Sequence, residues 1–186
     1  NMQRDLAATD FDIAAPAGKN SVRARVIGVV ENQAPTKALE KELPVIDGLV
    51  GMDDAGDVCQ IALVERHRVS GFGYARPCAM ASTVAHDSHH MIVVGTNKAD
   101  MAQAANRLRE VGGGVVLISE GRELALVEMP IAGLMSDERA EVVAAKAAKL
   151  TEAMRTVGCT LNNAYMQHSL LALVVTNPYV MTQVLG

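Results

Sequence analysis

Short apolar runs of strand length are the feature that most limits the folds open to this chain. Residues 21–30 alternate polar and apolar side chains before becoming fully apolar, and residues 57–65 form a second run. Residues 80–85 and 91–96 are two further runs of similar length. Apolar runs of about four to eight residues bounded by turn residues are typical of strands, whereas helices need longer segments. The sequence therefore predicts a fold rich in strands.

Two longer segments have the periodicity of amphipathic helices. The first spans residues 100–111, with Asn97 or Asp100 as its N-cap and three glycines, 112–114, as its end. The second starts at Ser136, taken as the N-cap, and runs to about residue 157, where a glycine closes it. The apolar face of the first helix consists of Met101, Ala104, Ala105, Leu108 and Val111.

The remaining segments have weaker patterns. Residues 1–20 are expected to be a loose lead-in, and the polar, proline-broken residues 31–48 a surface connection with at most a short strand. Residues 115–119 and 123–128 predict a hairpin around a Glu-Gly turn. The apolar residues 169–175 predict a buried strand.

These elements predict an α+β (mixed α/β) fold, with one or two mixed β-sheets and two main helices packed on a face. The 186 residues fit a single domain, 1–186, and 49% hydrophobic residues are enough for a substantial core. Aromatic residues make up only 3% and tryptophan is absent, so the core must consist of aliphatic residues and methionine. We expect both ends of the chain to be cut from a longer protein.

Composition also limits the partners. A net charge of −4 and few aromatic residues give no basic or stacking surface for nucleic acid. No apolar run approaches the roughly 18 residues of a membrane span. The three cysteines, Cys59, Cys78 and Cys159, form no CxxC pair. A reducing cytoplasm is therefore the expected location, with no disulfide framework.

The stretch ASTVAHDSHH, residues 81–90, has a high density of side chains that can bind metals or transfer protons. It places three of the five histidines within five residues, beside Asp87 and between two strand-like runs, which indicates a loop at strand ends. Such a cluster is compatible with a metal site, with proton transfer, or with a well-capped turn. The spacing fits no HExxH motif, and Ser82 and Ser88 are nucleophile candidates by residue type only. Glu65 and His67, at another strand end, are candidates for the same site.

Several strings resemble, in order, the C-terminal domain of bacterial and archaeal adenine deaminases of the amidohydrolase superfamily. They are DLAATDFDI, VRARVIGVV, IALVERH, GFG, ASTVAHDSHH, IVVGTNKADMAQAANRL, GGG, PIAGLMSD and VGCTL, and the resemblance covers nearly the whole chain up to about residue 175. ASTVAHDSH and PIAGLMSD are the most specific of them. His90 departs from the family, which commonly has asparagine there, and only three residues separate the ERH and GFG elements.

The resemblance implies an enzyme that hydrolyses adenine to hypoxanthine and ammonia, a purine-salvage reaction. It also implies a divalent metal, manganese or iron, held by an N-terminal (β/α)8 barrel. This chain has no HxH motif and is shorter than a barrel of typically about 250 residues. We therefore expect the barrel to be absent, the chain alone to bind no metal and to be inactive, and its partners to be its own barrel, adenine and further copies in a homo-oligomer.

On this basis we predict that His86, Asp87, Ser88 and His89 complete the active site over the barrel. The histidines would assist proton transfer or bind the purine, Asp87 would orient an imidazole and Ser88 would fix the turn. Glu65, His67 and Ser82 would support them. Two alternatives remain open: a non-catalytic domain for packing or oligomerisation, and a stand-alone metallohydrolase whose cluster binds its own metal.

Overall fold

The structure, a computed structural model, describes residues 4–52, 58–64, 76–85 and 90–172. These ranges contain eight strands: β1 Ser21–Gly28, β2 Lys37–Ile46, β3 Leu49–Val50, β4 Gln60–Val64, β5 Ala79–Ser82, β6 Met91–Gly95, β7 Gly114–Ser119 and β8 Arg122–Glu128. The helices are α1 Lys98–Val111, α2 Ala140–Thr156 and α3 Ala164–Leu170, and a 3₁₀ turn covers Ala8–Phe11.

A five-stranded sheet in the order β4-β6-β5-β7-β8 forms the centre, with every neighbouring pair antiparallel. Its side chains alternate between two cores: Val115 and Leu117 pack with α2 and α3, whereas Val116 and Ile118 pack with α1. Helices therefore cover both faces. This double burial explains why β5, β6 and β7 read as continuous apolar runs rather than as alternating ones.

The α+β expectation is confirmed, and within the described ranges neither sheet closes into a barrel. The four strands predicted from apolar runs correspond to β1, β4, β5 and β6, and the predicted hairpin is β7–β8. No helix in the described parts is long and apolar enough to cross a bilayer.

The prediction for residues 31–48 is wrong, because β2 is a ten-residue strand whose first eight residues, 37–44, pair with β1. Seven of the ten β2 residues are exposed and only Leu43 is buried, so the strand has little apolar alternation to reveal it in the sequence. Pro44, which has no N–H to donate, lies at the last position of the β1–β2 pairing, opposite Ser21, and its carbonyl accepts a 2.7 Å hydrogen bond from the Gly51 amide. The short β3 pairs with the end of β2 and completes a three-stranded sheet.

The lead-in is anchored rather than loose. The Asn106 side chain binds both backbone groups of Leu6, accepting from its N–H at 2.8 Å and donating to its carbonyl at 2.8 Å. Phe11, at the end of the 3₁₀ turn, is only 4% exposed and packs in the α1 core. This segment therefore belongs to the α1 layer.

The first predicted helix is confirmed as α1, capped by Asn97, whose Oδ1 accepts from the amides of Ala99 and Asp100 at 2.9 and 3.2 Å. Asp100 has a different role. Its buried carboxylate accepts from the backbone amides of Glu120 and Gly121 at 3.0 and 2.8 Å. It therefore fixes the β7–β8 turn, in which both of those residues have positive φ.

Two helix predictions need correction. The helix predicted from Ser136 begins at Ala140, with Arg139 as its N-cap, because the Ser136 hydroxyl instead accepts from the Glu138 amide in a preceding turn. The strand predicted at residues 169–175 is wrong in its described part. Ser169 and Leu170 end α3, and the turn that follows reaches residue 172.

Candidate functional site at one end of the central sheet

The strand register brings the chemically interesting segments to one end of the central sheet. Val64, the last residue of β4, pairs with Met91 at the start of β6, and Ser82 at the end of β5 pairs with the next residue, Ile92. On the other side, Ser82 pairs with Val115 near the start of β7. β4 and β5 therefore end at the same end of the sheet at which β6 begins.

Six of the seven predicted site residues lie outside the described residues: Glu65, His67, His86, Asp87, Ser88 and His89. The described strands nevertheless fix where the flanking chain leaves and enters the sheet. Glu65 directly follows β4, and the cluster is bounded by Ala85 on one side and His90 on the other. The expected proximity of the two segments is consistent with this register and stays a prediction.

Ser82 is the predicted site residue that the structure describes. It is 0% exposed, and its Oγ accepts a 3.1 Å hydrogen bond from the backbone amide of Val84. A fully buried hydroxyl that holds the backbone two residues ahead favours a positioning role over nucleophilic attack. This arrangement agrees with a supporting role at the start of the segment that leads to residue 86.

Thr83 joins three segments that are distant in sequence. Its hydroxyl donates to the carbonyl of Gly133 at 2.6 Å and accepts from the amide of Gly114 at 2.8 Å. Its own amide donates to the Gly114 carbonyl at 3.0 Å. Thr83 therefore connects the ASTVAHDSHH, GGG and PIAGLMSD segments, a role that residue type alone could not indicate because a threonine after a strand is common.

The glycine triplet does more than end α1. Gly112 is the left-handed C-cap, at φ 85°, as the sequence predicted. Gly113 and Gly114 have φ values of 124° and 130°, which strongly favour glycine. A Cβ on Gly113 would lie 2.5 Å from the Cα of Gly133, and one on Gly114 would overlap the carbonyl of Val127. The triplet thus allows two backbone segments to approach each other closely.

Residues 131–135, here called the 131–135 turn, project from this junction. An antiparallel bridge joins Ile131 to Met135, and Ala132 and Gly133 between them have φ of 57° and 71°. Three side chains of the turn are apolar and exposed: Ile131 (46%), Leu134 (37%) and Met135 (59%). The turn is therefore a small, apolar projection beside the residues that lead to the histidine cluster.

The other titratable groups in the described cores lack the features of a catalytic group. Burial raises the pKa of Cys78 to about 12, aided by the nearby Asp100 and Cys159, so its thiol stays protonated and unreactive. Burial also lowers the pKa of His168 to about 4, which keeps its imidazole neutral. His90 is half-buried immediately before β6.

In the described ranges, no group of three or more histidine, cysteine, aspartate or glutamate residues is arranged to hold a metal ion. The ligand set that the resemblance assigns to the barrel has no counterpart there. A cleft of about 850 Å³ does exist between β1 and β4, but Ser82, the predicted site residue that is described, does not line it. Gln60, at the opposite end of β4 from Glu65, is part of its wall.

Comparison with known proteins agrees with this architecture. The family model described as adenine deaminase C-terminal domain matches residues 33–184. An adenine deaminase from Mesorhizobium japonicum is 74% identical over 181 residues, which are 92% of this chain and 30% of that protein. "Adenine deaminase 3" from Rhizobium meliloti is 75% identical over 91% of this chain and 30% of its own length. A more distant adenine deaminase, from Rubrobacter xylanophilus, is 45% identical over 91% of this chain and 29% of its own.

The chain thus spans about a third of the length of these relatives. The family resemblance seen in the sequence is confirmed, since the matched region covers most of the chain and the relatives share one printed name. The chain belongs to the adenine deaminase C-terminal domain family.

Proposed function

We propose that this chain completes the active site of an adenine deaminase, the hydrolase that converts adenine and water to hypoxanthine and ammonia. In this proposal the segment His86-Asp87-Ser88-His89 lies over the mouth of a barrel formed by the rest of the enzyme. The barrel would hold the divalent metal, manganese or iron, and that metal would supply the activation of the attacking water. The enzyme acts in the cytoplasm, in purine salvage.

The observation that carries the proposal is the convergence at one end of the sheet. Val64 and Ser82, which precede the two groups of site candidates, are both paired with the first residues of β6. A short segment rooted on adjacent strands of a buried sheet holds its side chains more precisely than a segment in a long, free loop. Such support from the sheet is suited to side chains that must contact a substrate bound in the barrel.

The proposed roles follow from the chemistry of the bond that breaks. Water adds at C6 of the purine, the exocyclic amine leaves as ammonia, and the amine needs a proton as the C–N bond breaks. An imidazole of His86 or His89 can carry that proton or hydrogen-bond a ring nitrogen. Asp87 would fix the tautomer of a neighbouring imidazole, Ser88 the turn, and Glu65 and His67 the surrounding hydrogen bonds.

The experiment replaces His89 or Asp87 by alanine in the full-length enzyme. We expect turnover to fall roughly 100-fold or more, with melting temperature and metal content unchanged, because general acid–base groups typically contribute about 10²–10⁴. His90→Asn is the matched control, since it changes a neighbouring histidine to the residue common in the family. Near-normal turnover of both alanine variants would overturn the proposal.

A second candidate function is a non-catalytic domain that packs on the barrel or builds the oligomer. The exposed apolar side chains of the 131–135 turn favour it, because clustered apolar residues at a surface often mark an interface. Under this alternative the alanine variants would keep their turnover. Gel filtration of variants in the turn would then show a change of assembly.

A further inference from the structure

We propose that the 131–135 turn is the surface through which this chain docks on the remaining two-thirds of its own enzyme. This inference rests on the proposed function and deepens it, since it names the contact that sets the chain against the barrel. The occupant is a part of the same polypeptide with an apolar patch to receive Ile131, Leu134 and Met135.

The first argument is the distribution of exposed apolar residues. Among the described residues, large hydrophobic side chains are exposed at six positions, and three of these fall within this single five-residue turn. The others are the dispersed Leu39, Ile46 and Val142. Single exposed aliphatic residues are ordinary, whereas three exposed apolar side chains within five residues of one turn are typical of a contact surface.

The second argument is that the turn is held in place before any partner arrives. Thr83 binds the Gly133 carbonyl at 2.6 Å, and Gly113 approaches the Gly133 Cα so closely that it has no room for a Cβ. The Ile131 amide also donates to the Met135 carbonyl at 3.1 Å. A turn that is already held in one conformation loses little conformational entropy when it docks. This property favours a role of the turn as an interface.

The third argument concerns which partner meets this surface. The turn lies at the end of the sheet from which the chain leads to residues 86–89, because Thr83 is bonded to it directly. Relatives that share this chain are about three times its length, so most of each relative lies outside the matched region. If residues 86–89 reach that larger part of the enzyme, the adjoining turn reaches it as well.

The experiment measures the accessibility of single cysteines in the full-length enzyme. Met135→Cys is compared with Ile46→Cys, a matched control because both side chains are 59% exposed in this chain. A maleimide labels each variant, and mass spectrometry of the labelled peptide follows the rate. We expect Cys at position 135 to react at least about tenfold more slowly than Cys at position 46, because an interface excludes the reagent.

Equal labelling rates would overturn the inference. The inference would also be overturned if Cys at position 135 became reactive once dilution had converted the enzyme to a smaller species, as seen by gel filtration. The turn would then contact a second copy of the enzyme rather than the same polypeptide. Protection that persists on dilution supports docking within one polypeptide. This result is independent of the test of the proposed function. The turnover of His89→Ala can fall or stay normal whatever the labelling rate at position 135.

Discussion

The hydroxyl of Thr83 donates a 2.6 Å hydrogen bond to the carbonyl of Gly133, fifty residues further along the chain. The same oxygen accepts from the Gly114 amide. One side chain thus holds the end of β5, the start of β7 and the 131–135 turn together. No comparable connection between these segments can be inferred from sequence spacing.

Replacing Thr83 by valine should therefore destabilise the protein by about 1–3 kcal/mol, because the isosteric side chain leaves a backbone donor and an acceptor unsatisfied in a partly buried place. Thr83→Ser keeps the hydroxyl and should recover most of that loss. Urea unfolding of both variants measures the difference. Equal stability of the serine and valine variants would show that the hydroxyl contributes little.

Replacing Gly113 or Gly114 by alanine should lower the free energy of unfolding more than the same change at a glycine with free space around it. Both positions combine positive φ with a close backbone neighbour, so the new Cβ adds overlap to conformational strain. Gly48→Ala is the matched control, because Gly48 has φ of 77° but no atom within 4 Å of an added Cβ. We expect a loss of stability of about 1 kcal/mol at Gly48 and a clearly larger one at Gly114, measured as the free energy of unfolding.

Asp100→Asn should destabilise the protein by about 1–3 kcal/mol, because the amide that replaces one carboxylate oxygen cannot accept from the backbone. The loss should be concentrated at the β7–β8 turn, where faster hydrogen exchange at Glu120 and Gly121 would report it. Asp137→Asn, at an exposed position, is the control and should leave stability within about 0.5 kcal/mol. Unchanged exchange at the turn in Asp100→Asn would contradict this role.

The buried His168 should make the protein sensitive to mild acid. Its folded pKa is about 4, below the value of about 6.5 expected for the unfolded chain, so the unfolded chain takes up a proton first as the pH falls. The free energy of unfolding should decrease between about pH 6.5 and pH 4, by on the order of 3 kcal/mol from this group. In His168→Gln the decrease over the same window should be smaller, as measured by urea unfolding at pH 7 and pH 4.5. An identical decrease in the variant would exclude His168 as the cause.

The parts of the fold that the sequence predicted well are those in which burial imposes a pattern. The helix α1 has a regular apolar face, a capping Asn97 and a glycine in the left-handed C-cap, so each local signal agrees with the packed structure. β5 and β6 are mostly apolar because helices cover both faces of the sheet. In these elements the local sequence pattern and the tertiary packing favour the same secondary structure.

The errors arose where local patterns and tertiary contacts disagree. β2 is exposed on most of its length, so the strand is stabilised by pairing with β1 rather than by burial. Ser136 has the residue type of an N-cap, yet it caps the turn before the helix. Ser169 and Leu170 belong to the end of α3 rather than to a strand, since periodicity cannot separate a helix from a strand over so short a run.

For the candidate site, sequence adjacency predicted that the histidine cluster follows a strand, and the register agrees for the flanking residues. The grouping of Thr83 with Gly114 and Gly133 depends on the pairing of β5 with β7, a contact between residues more than thirty positions apart. Long-range register of this kind is set by the whole sheet. The pairing of distant strands therefore cannot be predicted from a single sequence.

The position of β5 has a consequence for divergence within the family. Its four residues have no exposed surface and pair with β6 on one edge and β7 on the other, so β5 cannot shift without disturbing both neighbouring strands. If residues 86–89 contact the substrate as proposed, we expect relatives to alter that contact by exchanging side chains, because moving β5 would disrupt its pairing with two strands. Selectivity differences among these enzymes should accordingly map to residue identity in the segment rather than to its point of origin.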